Sequence, residues 1–442
     1  GFFNAVTAAQ HAVVEDDQKV QRKIQTSPLI NYNIIVLNQS LKHNSSVSLI
    51  NTSVWRSGKD YDANVTAGLF DFNDKKNMWN VGGKVANSNK IGYLPNDKTL
   101  SGYSHSLYFG KTSGRWNFNI QEDLTNDKFN SNDLGYFNFN NFLDHYMWMG
   151  YRWTKPKSFY NNIYLNFNTY YSRRLKPAAY QNANFNVNAN GQMKNLWFVG
   201  VLYGHDFEYN DFYEPRKDGK VFRGWSDNFY DAWFETNNAK KFKIYSELLY
   251  VKRSLFNSER YSFNFGPRYR FSKKFSVNYN LNLSPQNNNV GFAAFSGSDV
   301  IFGKRDVKSV ENLLSFKYSF NDKMNINTRV RHYWSKVDYK EFFTLQDDGS
   351  LLKDNLFNQD VNQNYNAFNV DAVFTWEFAP GSFINVVWKN AAYDYNTIVR
   401  DGYFKNFNNT MKVDDNNNLS LKVIYFLDYL QLKNHKSKQK TK

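Results

Sequence analysis

The chain of 442 residues contains no cysteine. Disulfides, thiolate metal sites and cysteine nucleophiles are therefore excluded, and the composition suits an oxidising envelope compartment. It also lacks any run of the roughly eighteen apolar residues that a membrane-spanning helix requires. The best stretch, Leu196 to Tyr203, has the length of a tilted barrel strand instead. Aliphatic bulk is scarce. Mean hydropathy is −0.68 although Phe, Tyr and Trp make up 19% of the chain. So many rings exclude a disordered chain, and soluble domains seldom combine them with so polar a mean. The sequence starts at Gly1 with neither initiator Met nor signal peptide, which reads as a processed or truncated product.

Signatures of catalysis are missing too. His205-Asp206 and Asp144-His145 resemble halves of a hydrolase site. Adjacent residues on a strand point to opposite faces, however, so neither histidine can bond its neighbouring aspartate. His332 follows Arg331 and is expected to point outward, at an interface girdle. Seven histidines scattered singly offer no metal-ligand spacing. The stretches Asn130–Asp133 and Asp414–Asn418 lack an EF-hand pattern. With no nucleophile motif, the expectation is a protein that is not an enzyme and needs no metal or cofactor. The net charge of +15 is dispersed, with Lys75, Lys76, Arg115, Lys155, Lys157, Lys240, Lys241, Lys273 and Lys274 in tight turns and five lysines from Lys433 to Lys442. That distribution suits solvated turns beside an anionic membrane rather than nucleic-acid binding.

What is present is alternation. In Asn162 to Thr169, Ile163, Leu165 and Phe167 alternate with Asn162, Tyr164, Asn166 and Asn168, and Ser276 to Leu283 repeats the pattern. About twenty such segments follow one another, beginning near Phe3, Tyr32, Ser46, Ala63 and Met78 and ending with Phe383–Tyr393 and Leu419–Tyr429. Tight turns (Lys42-His43-Asn44, Ser113-Gly114, Ser272-Lys273-Lys274, Asn321-Asp322-Lys323, Ala379-Pro380-Gly381) follow even-numbered strands. Long connections (Asn126–Phe142, Tyr209–Asn228, Gln286–Val310, Lys336–Tyr365, Asn396–Asn418) follow odd-numbered ones. This asymmetry predicts an all-β fold: a closed transmembrane antiparallel β-barrel of about twenty strands over 1–432, followed by a basic periplasmic tail at 433–442. Short turns and both termini would be periplasmic, and long loops extracellular. A sandwich does not require such parity, and no propeller repeat of about 40 residues is found.

The same alternation sorts charges. Met324, Ile326, Thr328 and Val330 would face lipid, leaving Arg329 and Arg331 inside. Phe368, Val370, Ala372, Phe374, Trp376 and Phe378 would do the same, leaving Asp371 and Glu377 inside, with Lys422 and Asp428 joining them from the last strand. A charge on the lipid face costs on the order of 2–4 kcal/mol at the midplane, so these six are expected to form a charged lumen wall. The loops carry the binding candidates: Tyr209, Phe212, Tyr213, Arg216, Phe222, Arg223 and Trp225, then Tyr403 and Phe404. Their rings serve equally to pack loops against each other over the barrel mouth. Twenty strands enclose more space than wall side chains fill. No plug domain is evident, so inward-folded loops or another polypeptide must occlude the bore.

Several stretches resemble one family, the DUF5916 outer-membrane proteins of Bacteroidota. They are Gly1 to Ala8 (GFFNAVTA), Asn31 to Asn38 (NYNIIVLN), Asn132 to Tyr136 (NDLGY), Phe374 to Lys389 (FTWEFAPGSFINVVWK) and Leu419 to Tyr429 (LSLKVIYFLDY). The resemblance implies a C-terminal outer-membrane barrel. Members carry a carbohydrate-binding-family-9-like domain ahead of it, which has no counterpart here, and the family supplies no catalytic residues. Two functions stay open: a channel for a polar solute such as an oligosaccharide or peptide, or a non-conducting scaffold within an outer-membrane complex. The expected partners are outer-membrane lipid including lipopolysaccharide and, for the scaffold, other proteins, with no nucleic acid.

Overall fold

The structure is a computed structural model that describes residues 1–428. Twenty strands form one antiparallel sheet in which each ladder joins strands that are consecutive along the wall. They are β1 Phe2–Thr7, β2 Ile30–Ser40, β3 Ser46–Arg56, β4 Asp62–Asn73, β5 Trp79–Leu94, β6 Lys98–Lys111 and β7 Trp116–Thr125. Next come β8 Phe142–Trp153, β9 Tyr160–Arg174, β10 Ala179–Met193, β11 Phe198–Asp206, β12 Asp227–Glu235, β13 Phe242–Arg253 and β14 Glu259–Arg270. The last six are β15 Phe275–Ser296, β16 Asp299–Ser319, β17 Met324–Leu345, β18 Gln363–Ala379, β19 Ser382–Asn396 and β20 Asp415–Ile424. Small additions decorate the connections: the hairpins Gln10–Glu15/Gln21–Ser27 and Tyr209–Asp211/Phe222–Gly224, the strand Leu351–Asp354, and one helix, α1, Tyr403–Thr410.

Turn chemistry explains the order. Every connection after an even-numbered strand is short, none exceeding the stretches 154–159 and 236–241. Left-handed residues sit where these chains reverse, among them His43, Asn44, Gly114 and Gly381. The extended connections 8–29, 126–141, 207–226, 346–362 and 397–414 all follow odd-numbered strands. Two expected long connections prove to be mostly strand. Gln286–Val310 continues the β15/β16 hairpin to a tip at Gly297, and much of Lys336–Tyr365 extends β17. Bulges at Gln286/Asn289 and Phe292/Ala294 interrupt the alternation there and hide the strand from a period-two reading.

Register carries one apolar face across the sheet. Leu37, Leu49, Val85, Phe109, Ile120, Val201, Leu248 and Leu421 share it, and all are exposed. The opposite face is polar, formed by Asn166, Asn188, Asn264 and Asn282 and their neighbours. The first and last strands are edges: among the described residues no ladder joins β1 to β20, so the expected closure is not seen. The expected basic tail, 433–442, lies outside the described residues.

Candidate functional site: the polar face and its loops

The polar face is a hydrogen-bonded amide surface. Trp148 Nε1 donates to Asn166 Oδ1 (3.1 Å), and Asn166 Nδ2 donates to Asn188 Oδ1 (2.8 Å). Asn168 donates to Asn186 (2.8 Å), and farther round Asn282 donates to Asn264 (2.6 Å), which donates to Glu247 (3.0 Å). Cross-strand pairs of this kind satisfy side chains that alternation forces onto one side.

Of the six charges expected there, Arg329 meets Asp371 across the β17/β18 ladder at 3.4 Å. Arg331 makes a two-pronged contact with Glu311, both bonds 3.0 Å, a partner the sequence did not single out. Glu377 accepts a bond from the Gly381 amide instead of facing a cation. Lys422 stands opposite Asn385, and Asp428 follows the end of β20. With Arg329 64% exposed, its pair contributes little to stability.

Loops rest on this face. The connection 126–141 lies close enough to β6 that a Cβ on Gly102 would collide with the Phe129 backbone. Its anchor is Asp133, whose Oδ1 accepts from Arg56 Nη2 (2.6 Å) and Tyr61 Oη (2.9 Å). Lys90 Nζ stands 3.7 Å from its Oδ2, and all three charged side chains are nearly buried. The Tyr61 ring supports both cations, 4.5 Å from Arg56 and 5.0 Å from Lys90. Onward, Tyr213 Oη donates to the Asn140 carbonyl (3.0 Å) and the Phe139 and Tyr213 rings meet at 4.5 Å. The Arg223 amide then donates to Gly349 O (2.9 Å). The two loops thus form a continuous strap from β3 to the end of β17. Beneath it lies a cavity of about 240 Å³ lined by Asp144, Tyr170, Ser172, Gln181, Asp211 and Tyr213, among others.

The strap accounts for most of the aromatic loop candidates. Phe222 is buried against Phe302 (4.7 Å) with Val300 and Leu345. Tyr209 packs on the same cluster, and its burial pushes the phenol up to about 12. Arg174 sits over the Phe212 ring (5.1 Å) and Arg216 over the Phe292 ring (4.4 Å). Arg223 is tied through its backbone to Gly349, while Trp225 stays 54% exposed. Tyr403 and Phe404 lie elsewhere, on α1, where Tyr403 is packed and Phe404 is 80% exposed. Sequence reasoning missed the Arg56–Asp133–Lys90 anchor. Its members are 77 and 43 positions from Asp133, and no local pattern links them.

The histidines behave as strand geometry requires. His145 and His105 bracket Glu122 at 3.1 and 3.0 Å, and His205 bonds Asn228, so neither His145 nor His205 bonds its adjacent aspartate. His332, expected to point outward, lies on the apolar face of the sheet but is buried beneath α1, bonding Tyr403 Oη at 2.9 Å, and is not exposed in a girdle. Among the described residues no cluster of acids and histidines could hold a metal ion. The family model described as "Domain of unknown function (DUF5916)" matches residues 1–436. No curated protein matches the chain.

Proposed function

The chain belongs to the DUF5916 family, and from that premise we propose that it is an outer-membrane β-barrel through which a polar solute of the oligosaccharide or peptide class passes. The observation that carries this reading is the division of one twenty-strand sheet into an exposed apolar face and an amide-lined polar face. Water would strip so broad an apolar surface from solution, whereas hydrocarbon accepts it at no cost. Aromatic rows border the band. On β13 and β14, Phe242 pairs with Tyr269 at one end and Tyr250 with Tyr261 at the other. Eight residues separate the rows on each strand, about 26 Å along it, or roughly 20 Å along the membrane normal for strands tilted by about 40°, somewhat less than the apolar band of about 25 Å that lies between two girdles.

A hydrocarbon setting leaves no tolerance for the open edges of β1 and β20. We therefore place them side by side, closing the sheet with the polar face inward, the short turns and both ends periplasmic and the strap toward the exterior. Antiparallel alternation over twenty strands brings the two edges together with the required polarity. The exposed amides and paired charges suit hydroxyl- and amide-bearing solutes, which exchange hydrogen bonds with such a wall.

The strap gives specific support to a second reading. Two loops already cover part of the polar face, as they would in a non-conducting scaffold subunit. Conductance of the purified full chain in planar bilayers separates the two: steady ohmic steps are expected for the channel. Silence, with protein partners co-purifying stoichiometrically in mild detergent, would overturn it in favour of the scaffold.

A further inference from the structure

A second cavity, of about 710 Å³, opens on the apolar face of the sheet, away from the polar face described above. Its floor is Leu281, Leu283 and Val310, and the residues preceding and opening α1 close one side. Along β16 the outward residues run Phe316, Leu314, Asn312, Val310 and then Lys308; along β17 they run Thr328, Val330, His332, Trp334 and then Lys336. The face therefore changes from apolar to basic within the cavity. Lys308 and Lys336 are cross-strand neighbours, and Arg400 faces them from the connection to α1.

The cations are held but not neutralised. Lys308 Nζ stands over the Trp334 ring at 5.9 Å, and Lys336 Nζ donates to the Val399 carbonyl at 2.8 Å. Asp401, the carboxylate in the lining, is engaged by Lys405 at 3.0 Å. Among the described residues no carboxylate lies within ion-pair distance of Lys308, Lys336 or Arg400. Three cations gathered above an apolar floor, without their own counter-charge, complement an amphiphile with an anionic head.

We propose that this outward cavity is a binding site for an anionic membrane phospholipid, one whose headgroup carries a net negative charge, its phosphate held by Lys308, Lys336 and Arg400 and its acyl chains lying on Leu281, Leu283 and Val310. The assignment rests on the membrane reading above. The β16–β17 boundary between apolar and basic residues is where a headgroup meets hydrocarbon. Trp334, buried beneath Lys308, gives that cation a rigid aromatic support.

The test uses the full chain purified in neutral detergent and native mass spectrometry with short-chain phosphatidylglycerol or phosphatidylcholine of equal length. One phosphatidylglycerol should bind saturably in preference to phosphatidylcholine. The exposed-site variants Lys308→Gln and Arg400→Gln should each reduce that preference about fivefold, the effect of one charge near a lipid surface. Lys412→Gln, outside the cavity, should leave it unchanged. Equal binding of the two lipids, no response to the two cavity variants, or displacement of the lipid by millimolar inorganic phosphate alone would overturn the site. A chain that stays monodisperse without any detergent would instead overturn the membrane reading itself, so the two failures are distinguishable.

Discussion

Asp133 is the residue on which the strap depends. It is nearly buried between Arg56 and Lys90, and its removal leaves two cations facing one another without a counter-charge. Breaking a buried ion pair from one side costs on the order of 3–5 kcal/mol, and here the cost falls on loop docking, because both cations sit on strands that other contacts hold. Asp133→Ala should therefore release the connection 126–141 while the sheet persists. Limited proteolysis should show new cleavage between Asn126 and Asn141 with unchanged heat-modifiable migration. If the channel reading holds, unit conductance should rise as well. Loss of the folded band altogether would show that the anchor supports the wall itself.

At the level of elements, the extension of β15, β16 and β17 beyond their neighbours is stitched by charge. Glu341, in that extension and outside the apolar band, accepts from Lys304 and Lys353, each at 2.8 Å, and these bonds hold its carboxyl down to about 2 from an ordinary value of 4.5. A depressed acid stabilises the folded form fully above its unfolded value and loses that contribution as pH falls through the folded one. A fluorophore on Leu352→Cys, in a chain with no native cysteine, should report constant docking of Leu351–Asp354 from pH 8 to about 5 and a partial loosening between about 4.5 and 2, partial because Lys353 is exposed and the ladder to β17 remains. Glu341→Gln should abolish the transition; a transition that persists in the variant would assign it to another acid. This extension also marks where sequence legibility ends. The central part of all twenty strands follows from period-two alternation, as in Ile163, Leu165 and Phe167. The upper β15/β16 hairpin does not, because its bulges shift the phase of alternation. Parity alone puts Arg329 and Asp371 on one face; that they meet is set by the β17/β18 register. The strap is not legible, because contacts such as Arg223 to Gly349 span 126 positions and depend on how loops meet in space.

For the molecule as a whole, closure turns on the seam between β1 and β20. Strand parity requires that Ala5 and Ser420, Lys422 or Ile424 point to the same face. Neighbouring antiparallel strands bring Cα atoms to about 4.5–5.5 Å, within disulfide range. Cysteine at Ala5 combined in turn with each of those three positions should yield an intramolecular cross-link for one register, read as a mobility shift reversed by reductant. Absence of a cross-link in all three would leave the sheet open and remove the closed barrel. The meander also has a bearing on how the chain acquires its shape. Every ladder in the described sheet links strands that follow one another along the wall, so each hairpin can zip from its own turn as it emerges, with little loop-closure entropy to overcome. The strap contacts, Arg56 to Asp133 and Arg223 to Gly349, cannot form until several hairpins stand side by side. Assembly is therefore expected to be ordered in time: the wall grows by addition, and each strap contact tightens only after the strands it spans, β3 to β7 for Arg56–Asp133 and β12 to β17 for Arg223–Gly349, stand side by side.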